Sequence, residues 1–180
     1  MSRITLILGG ARSGKSSYAL KLAEESHKSV TFIATAQVFD DEMSARIQKH
    51  KAERPAGWET LELPLHIVPS VSQIKSDLVI LDCITLWVTN VLMQFVNDDL
   101  VDEAPFMQAS QAETEKLLAA IRNTEQDWLI VSNEVGLSLV PPYQMGRVYR
   151  DALGWVNQRF AQEADKVIFM VAGIQMNVKG

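Results

Sequence analysis

Lys15 and Ser16 close the string Gly9-Gly10-Ala11-Arg12-Ser13-Gly14-Lys15-Ser16, which fits the pattern G-x-x-x-x-G-K-S. In such a loop the glycines let the backbone curl so that several N–H groups face one anion. The following helix adds partial positive charge, the lysine reaches β- and γ-phosphates, and the hydroxyl ligates Mg²⁺. Asp82 ends the apolar run Leu78-Val79-Ile80-Leu81. From that place a carboxylate, a hard oxygen donor, holds or orients Mg²⁺ beside a phosphate loop; its other reading is a cap for the next helix. Glu134 follows Asn133 at the end of another apolar run, and reads equally as a group that orients a nucleophile or as a turn residue.

The histidines divide by their surroundings. His27 lies at the end of the first expected helix, where a cation complements the dipole, and His66 lies among polar and proline-rich neighbours as a solvated residue. His50 shares a helical face with Met43 and Ile47 and has Lys49, Lys51 and Arg54 beside it. Two readings are open for it: a partly buried structural histidine, or a neutral imidazole beside bound phosphates that attacks phosphorus and forms a phosphoramidate. Cys83, next to Asp82, reads as a small buried residue.

The elements that must position these groups follow from hydrophobic periodicity. Ile4–Leu8 is a buried strand entering the glycine loop, and Ser17–Glu25 a helix leaving it, with Ala19, Leu22 and Ala23 on one face. Ser29–Ala34 is a second buried strand, and Thr35-Ala36-Gln37 leave it as a loop at its carboxyl end, where ligands sit in α/β sheets. A helix is expected over 41–53, ended by Pro55. Trp58–Leu63 alternates like a strand, and Leu65–Ile74 reads as a short or broken helix around Pro69. Asp77–Asp82 is the clearest later strand. Cys83–Phe95 is a mostly buried helix, Asn97–Pro105 a surface loop, and Phe106–Asn123 a polar-faced helix. Asp127–Ser132 is a strand, Gln144–Ala164 a long helix, and Lys166–Val171 a final strand. Strands alternating with helices predict a three-layer α/β fold of the P-loop NTPase type, with a mostly parallel central sheet, and one domain over residues 1–180.

Composition narrows the partners. Of the 180 residues 47% are hydrophobic and 22% charged, and the net charge is −5. Without a Lys/Arg run, nucleic acid is not an expected partner. No apolar stretch has the length of a membrane span, the N-terminus has no signal-peptide anatomy, and the single cysteine excludes an internal disulfide framework. A cytoplasmic location is expected.

Several strings together extend this reading. GGARSGKS (Gly9–Ser16), Ile33-Ala34-Thr35-Ala36, DDEMSARIQKHK (Asp40–Lys51), ERPAGWETLE (Glu53–Glu62), LDCITLWVTN (Leu81–Asn90), VSNEVG (Val131–Gly136) and YRDALGWVNQRF (Tyr149–Phe160) run through nearly the whole chain. In that order they resemble the bifunctional adenosylcobinamide kinase/adenosylcobinamide-phosphate guanylyltransferase family of cobalamin biosynthesis. The resemblance implies two reactions. In the first, a γ-phosphoryl group moves from ATP or GTP to the aminopropanol hydroxyl of adenosylcobinamide. In the second, GMP moves from GTP to adenosylcobinamide-phosphate through a guanylylated histidine, giving adenosylcobinamide-GDP and pyrophosphate. His50 matches that histidine. Lys15 is the matching catalytic lysine of the loop. Nucleotide contacts carry over to Gly9, Gly10, Ala11, Arg12, Ser13, Gly14, Lys15 and Ser16, to Thr35, Ala36 and Gln37, to Lys51, Ala52, Glu53 and Arg54, and to Glu62 and Asp82. Mg²⁺ falls to Ser16 and Asp82. A homotrimer is also implied. The tail Gly173-Ile174-Gln175-Met176-Asn177 lacks the proline the resemblance places soon after the glycine. The competing readings are a monofunctional P-loop kinase with a structural His50, and a GTP-binding switch; the latter usually carries Asn-Lys-x-Asp, which this chain lacks.

Overall fold

Seven strands form one sheet whose order is β3-β2-β4-β7-β1-β8-β9. The structure is a computed structural model, which describes residues 2–37, 44, 48, 51, 52, 54–98 and 100–180. In chain order the strands are β1 (Ile4–Gly9), β2 (Val30–Ala34), β3 (Glu59–Glu62), β4 (Leu78–Asp82), the short β5 (Val96–Asn97) and β6 (Leu100–Val101), β7 (Asp127–Val131), β8 (Lys166–Val171) and β9 (Ile174–Lys179). The helices are α1 (Lys15–Ser26), α2 (Val68–Val71), α3 (Ile84–Leu92), α4 (Glu103–Arg122) and α5 (Gln144–Glu163). Strands β1 to β4, β7 and β8 pair in parallel, and β9 returns antiparallel along β8.

The central strands are near-continuous apolar runs because both faces of a parallel sheet are covered. Leu6, Val79, Leu81 and Ile130 enter one core with Trp87, Phe106, Leu117, Val156 and Phe160 from α3, α4 and α5. Ile7, Phe32, Ile80 and Leu129 enter a second core with Ala19, Leu20 and Ala23 of α1. Both cores consist of residues at or below 9% exposure, so the strand ends are held by packing on either side and not by the sheet alone. The parallel register places Gly9, Ala34, Asp82 and Val131 at one carboxyl edge.

Three expectations need correction. The stretch read as a loop over 97–105 holds an antiparallel pair, with Val96 against Val101 and Asn97 against Leu100. Helix α4 begins at Glu103, before Pro105, because a proline in the first helical turn gives up an N–H that has no partner there. Lys166–Val171 is not the last strand. Ala172 and Gly173, both at positive φ (50° and 82°), turn the chain back into β9, the backbone that a two-residue hairpin requires. The Leu65–Ile74 stretch does hold a short helix, α2, with Pro69 in its first turn. The expected helix over 41–53 falls largely outside the described residues, as do His50 and Glu53; Lys51 and Ala52 are helical.

Candidate active site

The phosphate loop is shaped by two glycines and closed by its own lysine. Gly9 has φ +153°, and a Cβ there would lie 2.5 Å from the Met170 carbonyl oxygen and 2.7 Å from Ser13 Oγ. Gly14 has φ +91° and caps α1 in the left-handed region, a conformation a side chain opposes. Ser13 N–H donates to Gly10 O at 3.3 Å. Lys15 Nζ donates to Gly10 O at 2.6 Å and to Ser13 Oγ at 3.4 Å. Lys15 is only 7% exposed. Burial lowers its pKa below the usual lysine value, while the charge of Asp82 pulls the other way. Ser16 is half-buried in the first turn of α1, whereas Gly10, Ala11 and Arg12 are exposed at the tip of the loop.

Asp82 ends β4 opposite Ala34 of β2 and Val131 of β7. Its surroundings are pinned by Thr35, which is fully buried. Thr35 Oγ1 donates to Cys83 O at 2.7 Å and accepts from Cys83 N–H at 2.8 Å. Thr35 N–H donates to Asp82 O at 3.2 Å. Asn90 of α3 donates to Thr35 O and to Pro64 O, which ties the loops after β2 and β3 together. The Thr35 hydroxyl is thus committed to the Cys83 backbone, while Ala36 and Gln37 lie half-buried beyond it. Burial pushes the Cys83 thiol up to about 12, and this cysteine is a packing group.

A second cation approaches from the segment after Lys51. The Arg54 guanidinium lies over the Phe32 ring, 3.8 Å from its centroid. Arg54 Nε and Nη1 are buried and have no hydrogen-bond partner among the described residues. Burial lowers the Arg54 pKa, and the charges of Asp82 and Glu62 oppose that lowering. Lys51 and Glu62 form an ion pair. Lys51, Arg54, Trp58, Thr60 and Glu62 line a cleft of about 390 Å³. Of the residues singled out in the sequence, Lys15, Asp82, Arg54 and Glu62 are brought to one edge of the sheet, while His50 and Glu53 lie outside the described residues.

Strand β7 separates β4 from β1, so its end lies between Asp82 and the phosphate loop. Glu134 N–H donates to Gly9 O at 3.1 Å, and the Glu134 carboxylate accepts from Gly136 N–H. The carboxylate's bond to Gly136 fits the turn reading, and it is the Glu134 backbone that meets the loop. Four residues absent from the sequence-based candidates hold this end. Thr85 Oγ1 accepts from Asn133 N–H at 2.7 Å, Ser132 donates to Asn157 Oδ1 at 2.7 Å, and Asn157 donates to Asn133 O at 3.0 Å. Tyr149 donates to Thr85 O at 3.0 Å, and burial pushes its phenol up to about 12. The available signal was a polar residue on an apolar helix face, as Asn157 is between Val156 and Phe160.

The remaining histidines are placed as expected. His27 ends α1 in a left-handed conformation with its N–H on Glu24 O, and His66 is exposed.

Comparison with known proteins adds an independent line. The family described as cobinamide kinase / cobinamide phosphate guanyltransferase matches residues 5–178. The bifunctional adenosylcobalamin biosynthesis protein CobP of Pseudomonas aeruginosa is 44% identical over 177 residues, covering 97% of this chain and 96% of that protein. The bifunctional adenosylcobalamin biosynthesis protein CobU of Escherichia coli is 40% identical over 179 residues, with 97% and 98% covered. Among solved structures, flagellar accessory protein FlaH from Methanocaldococcus jannaschii superposes with TM-score 0.53 at 15% identity, over 98% of this chain and 78% of that one. The RadB recombinase does so with TM-score 0.52 at 12% identity, over 93% and 73%. At such identities the structural likeness speaks for the fold alone: the three-layer, mostly parallel α/β fold of P-loop NTPases.

Proposed function

The chain belongs to the cobinamide kinase / cobinamide phosphate guanyltransferase family, and on that premise we propose that it is the bifunctional transferase whose two reactions meet at one edge of the sheet. The observation that carries this is the convergence of a buried and a half-buried cation on one carboxylate. Lys15 comes from the phosphate loop and Arg54 from the segment next to His50, and both feel the charge of Asp82. Kinase chemistry needs the first and nucleotidyl transfer the second.

In the kinase reaction the loop amides and Lys15 hold the β- and γ-phosphates of ATP or GTP. The aminopropanol hydroxyl of adenosylcobinamide attacks the γ-phosphorus. Catalysis here is positioning and charge neutralisation, for which a dry cation is well suited. Lys15 must first exchange the Gly10 carbonyl for phosphate oxygens. Ser16 and Asp82 supply half-buried hard oxygen donors on neighbouring elements, a set that fits Mg²⁺, which when bound neutralises phosphate charge.

In the second reaction neutral His50 attacks the α-phosphorus of GTP, pyrophosphate leaves, and the phosphate of adenosylcobinamide-phosphate displaces the histidine to give adenosylcobinamide-GDP. Lys51 and Arg54 stabilise charge on the transferring groups. The Nε and Nη1 of Arg54, which meet no partner among the described residues, support a phosphate-facing role, because a buried donor left unpaired is costly unless a ligand completes it. Gly9–Ser16, Thr35-Ala36-Gln37, Lys51-Ala52-Glu53-Arg54, Glu62 and Asp82 make up the nucleotide site in this reading, within one domain over residues 1–180.

A homotrimer in the cytoplasm completes the proposal. Leu137, Leu139 and Val140 are 83%, 93% and 63% exposed, and apolar side chains of this kind suit contact between copies. Among the described residues no helix is long and apolar enough to cross a membrane. The direct test is incubation of the protein with adenosylcobinamide and nucleotide labelled at the γ-phosphate. Label passes to the corrinoid with wild type and fails to do so with Lys15→Ala; wild type without transfer, or undiminished transfer by Lys15→Ala, contradicts the assignment.

A further inference from the structure

The last hairpin of the chain touches the phosphate loop through backbone atoms. Met170 of β8 pairs with Gly9 of β1, so the β8–β9 turn emerges beside Gly9–Ser16. Gly173 N–H donates to Ser13 O at 3.0 Å. A Cβ placed on Gly14 would lie 3.4 Å from Gly173 Cα, so a side chain at Gly14 would press on the turn. The turn is defined on both sides: Val171 pairs with Ile174, and at the far end of β9 Lys179 Nζ donates to Ala161 O and Gln162 O, each at 3.0 Å.

From this contact we infer that Gly173 is a positioning residue for the phosphate loop, one that sets its affinity for a nucleoside triphosphate. The inference rests on the P-loop reading above. A trans peptide is planar, so its C=O and N–H point in opposite directions. Holding the Ser13 carbonyl on Gly173 turns the Gly14 N–H to the side away from the hairpin. An anion in such a loop is bound by amides of this kind, and the tilt of the Ser13–Gly14 peptide decides how well the Gly14 N–H meets it. Gly173 has φ +82°, where a β-branched residue is strained, whereas asparagine is tolerated. A Cβ on Gly173 would meet nothing within 4 Å, so a substitution there acts through backbone conformation and not through a clash.

The test is the dissociation constant of a fluorescent GTP analogue, measured with the melting temperature of the nucleotide-free protein. Gly173→Val is expected to raise Kd about tenfold, the scale of one weakened hydrogen bond to a charged group. Gly173→Asn keeps Kd within about twofold of wild type, because it accepts the left-handed backbone. Met176→Gly weakens β9 away from the turn and lowers the melting temperature without changing Kd. Should Gly173→Val not fold, Gly173→Ala takes its place with a smaller rise in the same direction. Unchanged affinity in the valine variant, or in the alanine variant where it stands in, overturns the inference. So does an equal loss in Met176→Gly, since hairpin stability alone would then account for it. Lys15→Ala, measured alongside, separates the two levels. If it binds like wild type, the P-loop reading fails; if it loses binding while Gly173→Val does not, only the role of Gly173 fails.

Discussion

Thr35 and Cys83 exchange two hydrogen bonds across the ends of neighbouring strands, at 2.7 and 2.8 Å through one hydroxyl. This pair fixes the backbone immediately after Asp82 relative to the loop that leaves β2. Thr35→Val keeps the shape of the side chain and removes both bonds, leaving the buried Cys83 N–H unpaired, whereas Cys83 O keeps the Trp87 N–H at 3.1 Å. The expected cost is about 1–3 kcal/mol of unfolding free energy, read from the denaturant midpoint. Thr35→Ser, which retains the hydroxyl, loses much less. Equal stability of the valine variant and wild type would show that the pair does not hold this edge.

Lys15 gives a pH dependence with a definite sign. Burial lowers its pKa from 10.5, so the free protein loses this charge at a lower pH than an exposed lysine does. Triphosphate binding needs the charge. Affinity therefore falls as pH rises through the lowered pKa, beginning below 10.5, and Lys15→Arg removes that fall because a guanidinium stays charged. Stability moves the other way. Between the lowered folded pKa and the unfolded value the unfolded chain binds more protons, so this group's contribution to stability rises with pH and is lost as pH falls through the folded pKa. An affinity profile for wild type that matches Lys15→Arg across this range speaks against the lysine's role.

Arg54 separates stability from function. Its buried Nε and Nη1 have no partner among the described residues, and burial of the charge carries a desolvation cost that an apolar side chain avoids. Arg54→Met is expected to match or exceed wild-type stability, while GTP binding weakens by about tenfold or more. Thermal unfolding and equilibrium binding on one sample decide the matter. A methionine variant that is strongly destabilised with unchanged GTP affinity would make Arg54 a structural residue.

Cys83 is expected to be inert. Its thiol is 8% exposed and held up at about 12, so a thiol reagent at pH 8 labels the unfolded chain and leaves the native one unmodified. This group's contribution to stability is fully present below the ordinary thiol pKa, falls with pH above it, and is lost as pH rises through about 12. Rapid labelling of the native protein would contradict the burial described.

How far the sequence carried this picture depends on range. The phosphate loop was legible because its glycines, lysine and hydroxyl act at fixed local spacing, and the parallel sheet because its strands are buried on both faces. Asp82 was legible as the end of an apolar run. The Thr35–Cys83 pair and the Asn157–Asn133 contact join residues 48 and 24 positions apart, and no local periodicity reports which polar group will meet which. The return strand β9 was missed because Ala172 is a non-glycine residue at positive φ, and because Ile174, Met176 and Val178 are all exposed, so no buried face marks the strand. The short pair β5–β6 was missed for want of length. His50 was found through its cationic neighbours and the resemblance, and its chemistry rests on a direct trial.

That trial is incubation with GTP labelled at the α-phosphate and no corrinoid. A phosphoramidate on His50 predicts covalent label on the protein that survives alkali, is lost in mild acid, and is absent from His50→Ala, with one pyrophosphate released per label. Addition of adenosylcobinamide-phosphate then discharges it to adenosylcobinamide-GDP. An active protein that transfers GMP without ever carrying label, or a His50→Ala variant that labels and transfers as wild type does, would contradict the account.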